Sequence, residues 1–279
     1  MDFIANCGTF AAEISHFMSV KIQEVIAALE RFAPLPLQES YDNAGLQVGL
    51  TGAEVSGVLL CLDVTEEVIR EAVDLGCNLV VSHHPLLFRG LKTVSDANYV
   101  QRCVRLAVQN DVAIYSAHTN LDNAEGGVNY RMAEKIGLTN LSFLEAKPGT
   151  ITAGAGLVGE LAVEEDEREF LERIKLLFGI KCVRHNCLRE RKIRRVALCG
   201  GAGGFLLSNA IAQGADAFLT GEMRYHDYFG HEGDLLIAEM GHYESEQYTV
   251  DIFAEVLARR FPELKIVKTS HNTNPINYL

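Results

Sequence analysis

His83 and His84 stand side by side just before Pro85, His118 lies one turn ahead of Asp122, and His242 lies one turn ahead of Glu246. Imidazoles combined with carboxylates suit zinc, manganese, iron or cobalt rather than calcium. His83, His84, Asp122, His242 and Glu246 together offer more donors than one catalytic metal with an open position uses. Two divalent ions sharing a carboxylate are therefore expected, able to lower the pKa of a water and polarise an attacked carbon or phosphorus. His118 is the candidate catalytic residue, as a general acid or base, or else as the group that orients Asp122.

The elements that must position these side chains are strands that end at them. Leu79-Val-Val-Ser82 is a short, apolar, β-branched run, the composition of a strand buried on both faces. Pro85 cannot donate to a sheet ladder, so the strand stops and leaves both imidazoles at its C-terminal tip, the edge where open α/β sheets bind ligands. Side chains alternate along a strand, so His83 and His84 are expected to diverge towards two neighbouring centres. Gly57 to Asp63 reads as the preceding strand, with Thr65 as N-cap, Glu66 and Glu67 in the first helical turn, and Gly76 as the stop. That is a βαβ unit, which implies parallel strands and a right-handed crossover. A helix near Asn98 to Gln109 leads to the strand Val112 to Ser116, which runs into His118, and a helix from about Gly127 to Ile136 follows. Upstream, apolar spacing predicts an amphipathic helix over Ser19 to Phe32, ended by Pro34 and Pro36. Asp42-Asn43 then sits in a polar loop, as a turn or as part of the site.

An internal repeat links the two ends of the chain. At an offset of 138, Val58 falls on Val196, Cys61 on Cys199, Ala72 on Ala210 and Gly76 on Gly214. At an offset of 124, His118 falls on His242 and Asp122 on Glu246. The expected fold is α/β: two similar half-domains from a duplication, facing each other across a dinuclear metal cleft. Their expected spans are 18–148 and 149–279, the second with a small α+β insert at about 150–195 that opens after Lys147-Pro148-Gly149. Residues 1–17 fit no element and read as an extension, with Met18 as an alternative start.

Composition removes several classes of partner. The formal net charge of −12 and pI of about 5.2 argue against nucleic acid. No apolar run approaches the roughly 18 residues that span a bilayer, and the first 17 residues lack the basic start and apolar core of a signal peptide. The seven cysteines are odd in number, scattered and without a C-x-x-C pair, which points to a reducing cytoplasm. Weaker signals have bland readings. Cys199-Gly-Gly-Ala-Gly-Gly204 could cradle a phosphate or permit close strand–helix packing. The basic run Arg189 to Arg195 reads as a solvated turn, and His185 and His231 as solvated loop residues. Glu222 and His226 are placed at the second copy's strand tip, near or in the site.

Ser82-His-His-Pro85, His118-Thr-Asn-Leu-Asp122, Gly221-Glu222 and Gly241-His-Tyr-Glu-Ser-Glu246 resemble the signatures of the Nif-three-like proteins, also described as GTP cyclohydrolase I type 2 homologues. The resemblance runs from about Met18 to Thr273-Asn-Pro275. It implies a dinuclear site on His83, His84, Asp122, His242 and Glu246, two similar α/β halves, and a toroidal hexamer built from dimers. The function expected is a metal-dependent hydrolase of the cyclohydrolase kind, acting on a small, nucleotide-like molecule. The other reading is a non-enzymatic metal-binding or regulatory platform.

Overall fold

The apolar runs become short strands and the amphipathic stretches become the helices that cover them. The computed structural model describes residues 19–231 and 233–279, so the expected extension 1–17 and the alternative start at Met18 lie outside the described residues. In chain order the first elements are α1 (Ile22–Phe32), β1 (Gly45–Val48), β2 (Val58–Cys61), α2 (Glu66–Asp74), β3 (Leu79–Ser82), α3 (Tyr99–Gln109), β4 (Ala113–Ser116), α4 (Thr119–Asp122) and α5 (Val128–Ile136). There follow β5 (Thr139–Ala146), β6 (Gly154–Asp166), α6 (Glu167–Phe178), β7 (Arg184–His185), β8 (Lys192–Cys199), α7 (Leu207–Ala212), β9 (Ala217–Thr220) and β10 (Leu236–Glu239). The last are α8 (His242–Glu246), α9 (Thr249–Arg260) and β11 (Ile266–Lys268).

Two sheets result. The first has the order β1-β4-β3-β2-β11 and is parallel except for β1; the second has the order β5-β6-β8-β9-β10-β7, with β8, β9 and β10 parallel. The sequence repeat is also a repeat of register. Val58 pairs with Leu79 and Cys61 with Ser82, while Val196 pairs with Ala217 and Cys199 with Thr220, each shifted by 138. Alternate residues of β2, β3 and β4 enter two different core clusters, one with α1 and α9 and the other with α2 and α3. Burial on both faces explains why these strands read as continuous apolar runs. Thr65 and Asn98 cap α2 and α3, accepting from the Val68 and Gln101 amides.

The sheets do not divide at the expected point near Pro148. β5, which precedes it, pairs with β6 in the second sheet, and the turn around Lys147-Pro148-Gly149 is their hairpin connection, closed by the Lys147 amide on Ala153 O. The expected insert is likewise no separate unit, because β6 and β8 pair along their length and α6 packs on that same sheet. At the other end, α9 and β11 return to the first sheet. The two-residue β7 lies at the sheet edge, paired antiparallel with β10. The basic run after it is largely neutralised: Lys192 meets Asp166, Arg191 meets Glu167 and Arg195 meets Glu160. Among the described residues, no helix is long and apolar enough to cross a membrane. Cys61, Cys77, Cys103 and Cys199 are buried and free, as their apolar neighbours imply.

Candidate metal centre

The carboxyl ends of both parallel sets meet. After β3 the chain bends, and the amides of His83 and His84 both donate to Leu62 O, so the two rings leave a turn rather than a pleated strand. They address different oxygens of one carboxylate. His83 Nε2 lies 3.7 Å from Glu246 Oε1, and His84 Nε2 lies 3.0 Å from Glu246 Oε2. After β4, His118 caps the short helix that carries Asp122; after β10, Gly241 (φ 101°) inserts one residue before His242 opens the helix that carries Glu246. That insertion is why the strands repeat at 123 (Ala113 and Leu236 pair with equivalent residues) and the histidines at 124.

Each histidine is fixed through Nδ1. His83 donates to Ala117 O at 2.8 Å, His84 to Asp63 at 2.7 Å, His118 to Asp42 at 2.7 Å and His242 to Glu222 at 3.0 Å. Such partners set the tautomer and leave Nε2 to face the centre, the arrangement usual for metal-binding imidazoles. Among the described residues, three groups of donor atoms lie close enough to hold a metal ion: His84, His242 and Glu246; His83, Asp122 and Glu246; and His83, His84 and His118. Donors around one ion with arms of about 2.0–2.1 Å stand roughly 3–3.4 Å apart. The Nε2 atoms of His84 and His242 are 3.3 Å apart, and Glu246 Oε2 is 3.0 and 3.2 Å from them.

The other group shows the fit more sharply. His83 Nε2 and Asp122 Oδ1 are buried without a hydrogen-bond partner, 3.6 Å apart. Leaving such groups unpaired costs about 1–3 kcal/mol each, so a cation between them is the physical remedy. The charges agree. Burial and then Glu246 push Asp122 well up; Glu246 resists the same burial because His83, His242 and His84 hold it well below the usual carboxylate range. Burial pulls His83 down, whereas carboxylate contacts outweigh burial at His84 and His242 and raise them to about 10 and about 9. Asp42 is buried too, yet hydrogen bonds from His118 and Thr119 lower it to about 2. Cys199 lines the same cavity, where burial and then Asp122 push its thiol up.

All five expected metal donors are thus brought together, and His118 joins them rather than standing apart. Asp63 is not singled out in the sequence, where it reads as the last residue of a strand; Asp42 and Glu222 are, and both hold donor histidines. His226 instead stacks with Tyr225 and Phe229. The glycine loop is explained by packing. Its Gly200, Gly201 and Gly203 amides are taken by Asn129, Ser245 and Thr220 side chains, so they are not free to cradle a phosphate.

Two sheets with histidines and carboxylates at their meeting strand tips define an α/β protein equipped to hold metal. The chain belongs to the Duf34/NIF3 (NGG1p interacting factor 3) family, whose model matches residues 20–275. It is 33% identical over 264 residues to the GTP cyclohydrolase 1 type 2 homolog of Clostridium perfringens, covering 93% of this chain and all of that one. It is similar in structure to a hypothetical protein of Staphylococcus aureus (28% identity, TM-score 0.86, 93% of this chain and 99% of that one). A Bacillus cereus protein related to NIF3 is also similar (25%, TM-score 0.84, the same coverage).

Proposed function

We propose that this chain is a metal-dependent hydrolase of the GTP cyclohydrolase kind, working in the cytoplasm on a small, nucleotide-like molecule with two divalent ions (zinc, iron, manganese or cobalt). The observation that carries this reading is the buried, unpartnered pair His83 Nε2 and Asp122 Oδ1, beside a Glu246 carboxylate that reaches both donor groups. Glu246 Oε2, His84 and His242 would hold one ion; Glu246 Oε1, His83 and Asp122 would hold the other. When bound, such a pair supplies Lewis-acid polarisation and a lowered pKa for water.

The chain's own part is to position and to move a proton. Asp63, Glu222 and Ala117 O keep three imidazoles in the tautomer that presents Nε2. Asp42 stays ionised, so it steadies the charge that appears when His118 takes a proton on its other nitrogen. The test is a panel of nucleotides, phosphoesters and cyclic amides, GTP first, on fully loaded protein. His118→Ala should keep its metal and lose roughly two to four orders of magnitude in turnover, the scale of a lost general acid or base. Loss of metal in that variant would make His118 a ligand instead. If nothing in the panel is hydrolysed, the non-enzymatic platform becomes the better reading. The chain is further proposed to assemble as a homohexamer of dimers; a monomer by light scattering at micromolar concentration contradicts this.

A further inference from the structure

The cavity over the donors has a volume of about 240 Å³, and its walls are of two kinds. One wall is polar and charged: Glu39, which pairs with Lys147 at 2.6 Å, and Asp122 and Glu246, with His118 and His242 beside them. The rest of its mouth is aromatic. Tyr41, Phe88 and Phe205 all line it while remaining 63%, 44% and 61% exposed. Single exposed rings are ordinary, but several gathered on one concave site mark a binding surface. They come from both halves: Tyr41 and Phe88 from loops of the first sheet, Phe205 from the turn after β8. Two are already ordered over the donors. Phe88 lies edge-on to His118 at 6.1 Å and to Tyr41 at 6.4 Å. Arg224 lines the adjoining cavity, which shares Ala202 and Phe205 with this one.

We propose that Tyr41, Phe88 and Phe205 form an aromatic clamp that holds a planar heteroaromatic ring of the substrate over the donor groups. The clamp then recognises the ring, separately from whatever the donor groups hold. Ring stacking suits exposed rings gathered at a concave mouth, because every such heteroaromatic ring has a π-face. The word substrate rests on the hydrolase reading; the clamp itself does not.

The chain contains no tryptophan, so Phe205→Trp installs a single reporter at the clamp. With zinc-loaded protein, guanosine (ring without phosphate) should quench that fluorescence saturably. Ribose 5-phosphate (phosphate without ring) should not quench it. By calorimetry, Phe205→Ala and Tyr41→Ala should each weaken guanosine binding about fivefold to a hundredfold, the range for losing one stacking partner. Zinc content should not change, since neither ring supplies a donor, and both side chains are too exposed for the fold to depend on them. The clamp is overturned if wild-type zinc-loaded protein does not bind guanosine, if ribose 5-phosphate quenches the reporter equally, or if both alanine variants bind as wild type does. Guanosine binding without hydrolysis of any nucleotide defeats the hydrolase reading and leaves the clamp standing.

Discussion

Gly201 is not a ligand, yet replacing it should empty the site. Its φ is +58°, and a Cβ there would stand 2.3 Å from Glu246 Oε1 and 3.4 Å from His242 Cε1. Carbon and oxygen in ordinary contact lie roughly 3.3 Å apart, so Gly201→Ala must move that oxygen by about 1 Å. Metal–ligand distances hold to within about 0.2 Å, so the shift is several times what a bond to Oε1 tolerates. The left-handed backbone adds about 1–2 kcal/mol for any residue with a Cβ. In a chain of this size that lowers Tm by roughly 2–4 °C per kcal/mol. The expected result has two parts: metal-free Gly201→Ala melts a few degrees below wild type, and its metal affinity falls at least tenfold. Thermal melts of the metal-free protein measure the first, and chelator competition measures the second. A variant that melts lower but keeps wild-type metal affinity would refute the placing of Glu246 Oε1 in the centre.

Two further outcomes follow from the hydrogen bonds around the donors. Asp63 accepts from His84 through Oδ1 and from the Thr273 hydroxyl through Oδ2, at 2.7 and 2.9 Å. Asp63→Asn should therefore cost about 10–100-fold in metal affinity by equilibrium dialysis, and Thr273→Val less; an unchanged Asp63→Asn would show that Asp63 does not position His84. In the metal-free chain, His84 and His242, raised to about 10 and about 9, are both protonated at pH 7. Raised folded-state values stabilise the metal-free fold fully below pH 6.5, and that contribution is lost as pH rises through about 9 and about 10. Metal must displace those protons, so its affinity should climb with pH between 6 and 9. An affinity that is flat across that range would remove both histidines from the ligand set.

Much of this was legible because it is local. The β-branched runs, the Thr65 and Asn98 caps and the proline after His84 each act within a few residues, and the repeat at 138 carries strand register with it. The His-x-x-x-acid pairs were legible for the same reason, as one turn of helix. What escaped depends on distant chain. Asp63 and His84 are separated by 21 residues, and nothing in the neighbourhood of Asp63 distinguishes it from a turn aspartate. β11 is a short, half-exposed edge strand, so its return to the first sheet leaves only a faint apolar trace. The turn at Lys147-Pro148-Gly149 reads equally as a linker and as a hairpin; only the pairing of β5 with β6 decides.

Donors from both sheets meet at one place, with Glu246 common to two donor groups. Elemental analysis of protein purified without added metal or chelator tests this shared centre most directly, comparing wild type with His242→Ala. His84 and His242 are 158 residues apart in sequence, with their Nε2 atoms 3.3 Å apart. The expected result is about two transition-metal ions per wild-type chain, the order of a two-metal site, with clear loss of occupancy in His242→Ala. Full metal content in His242→Ala would contradict a centre shared between the sheets.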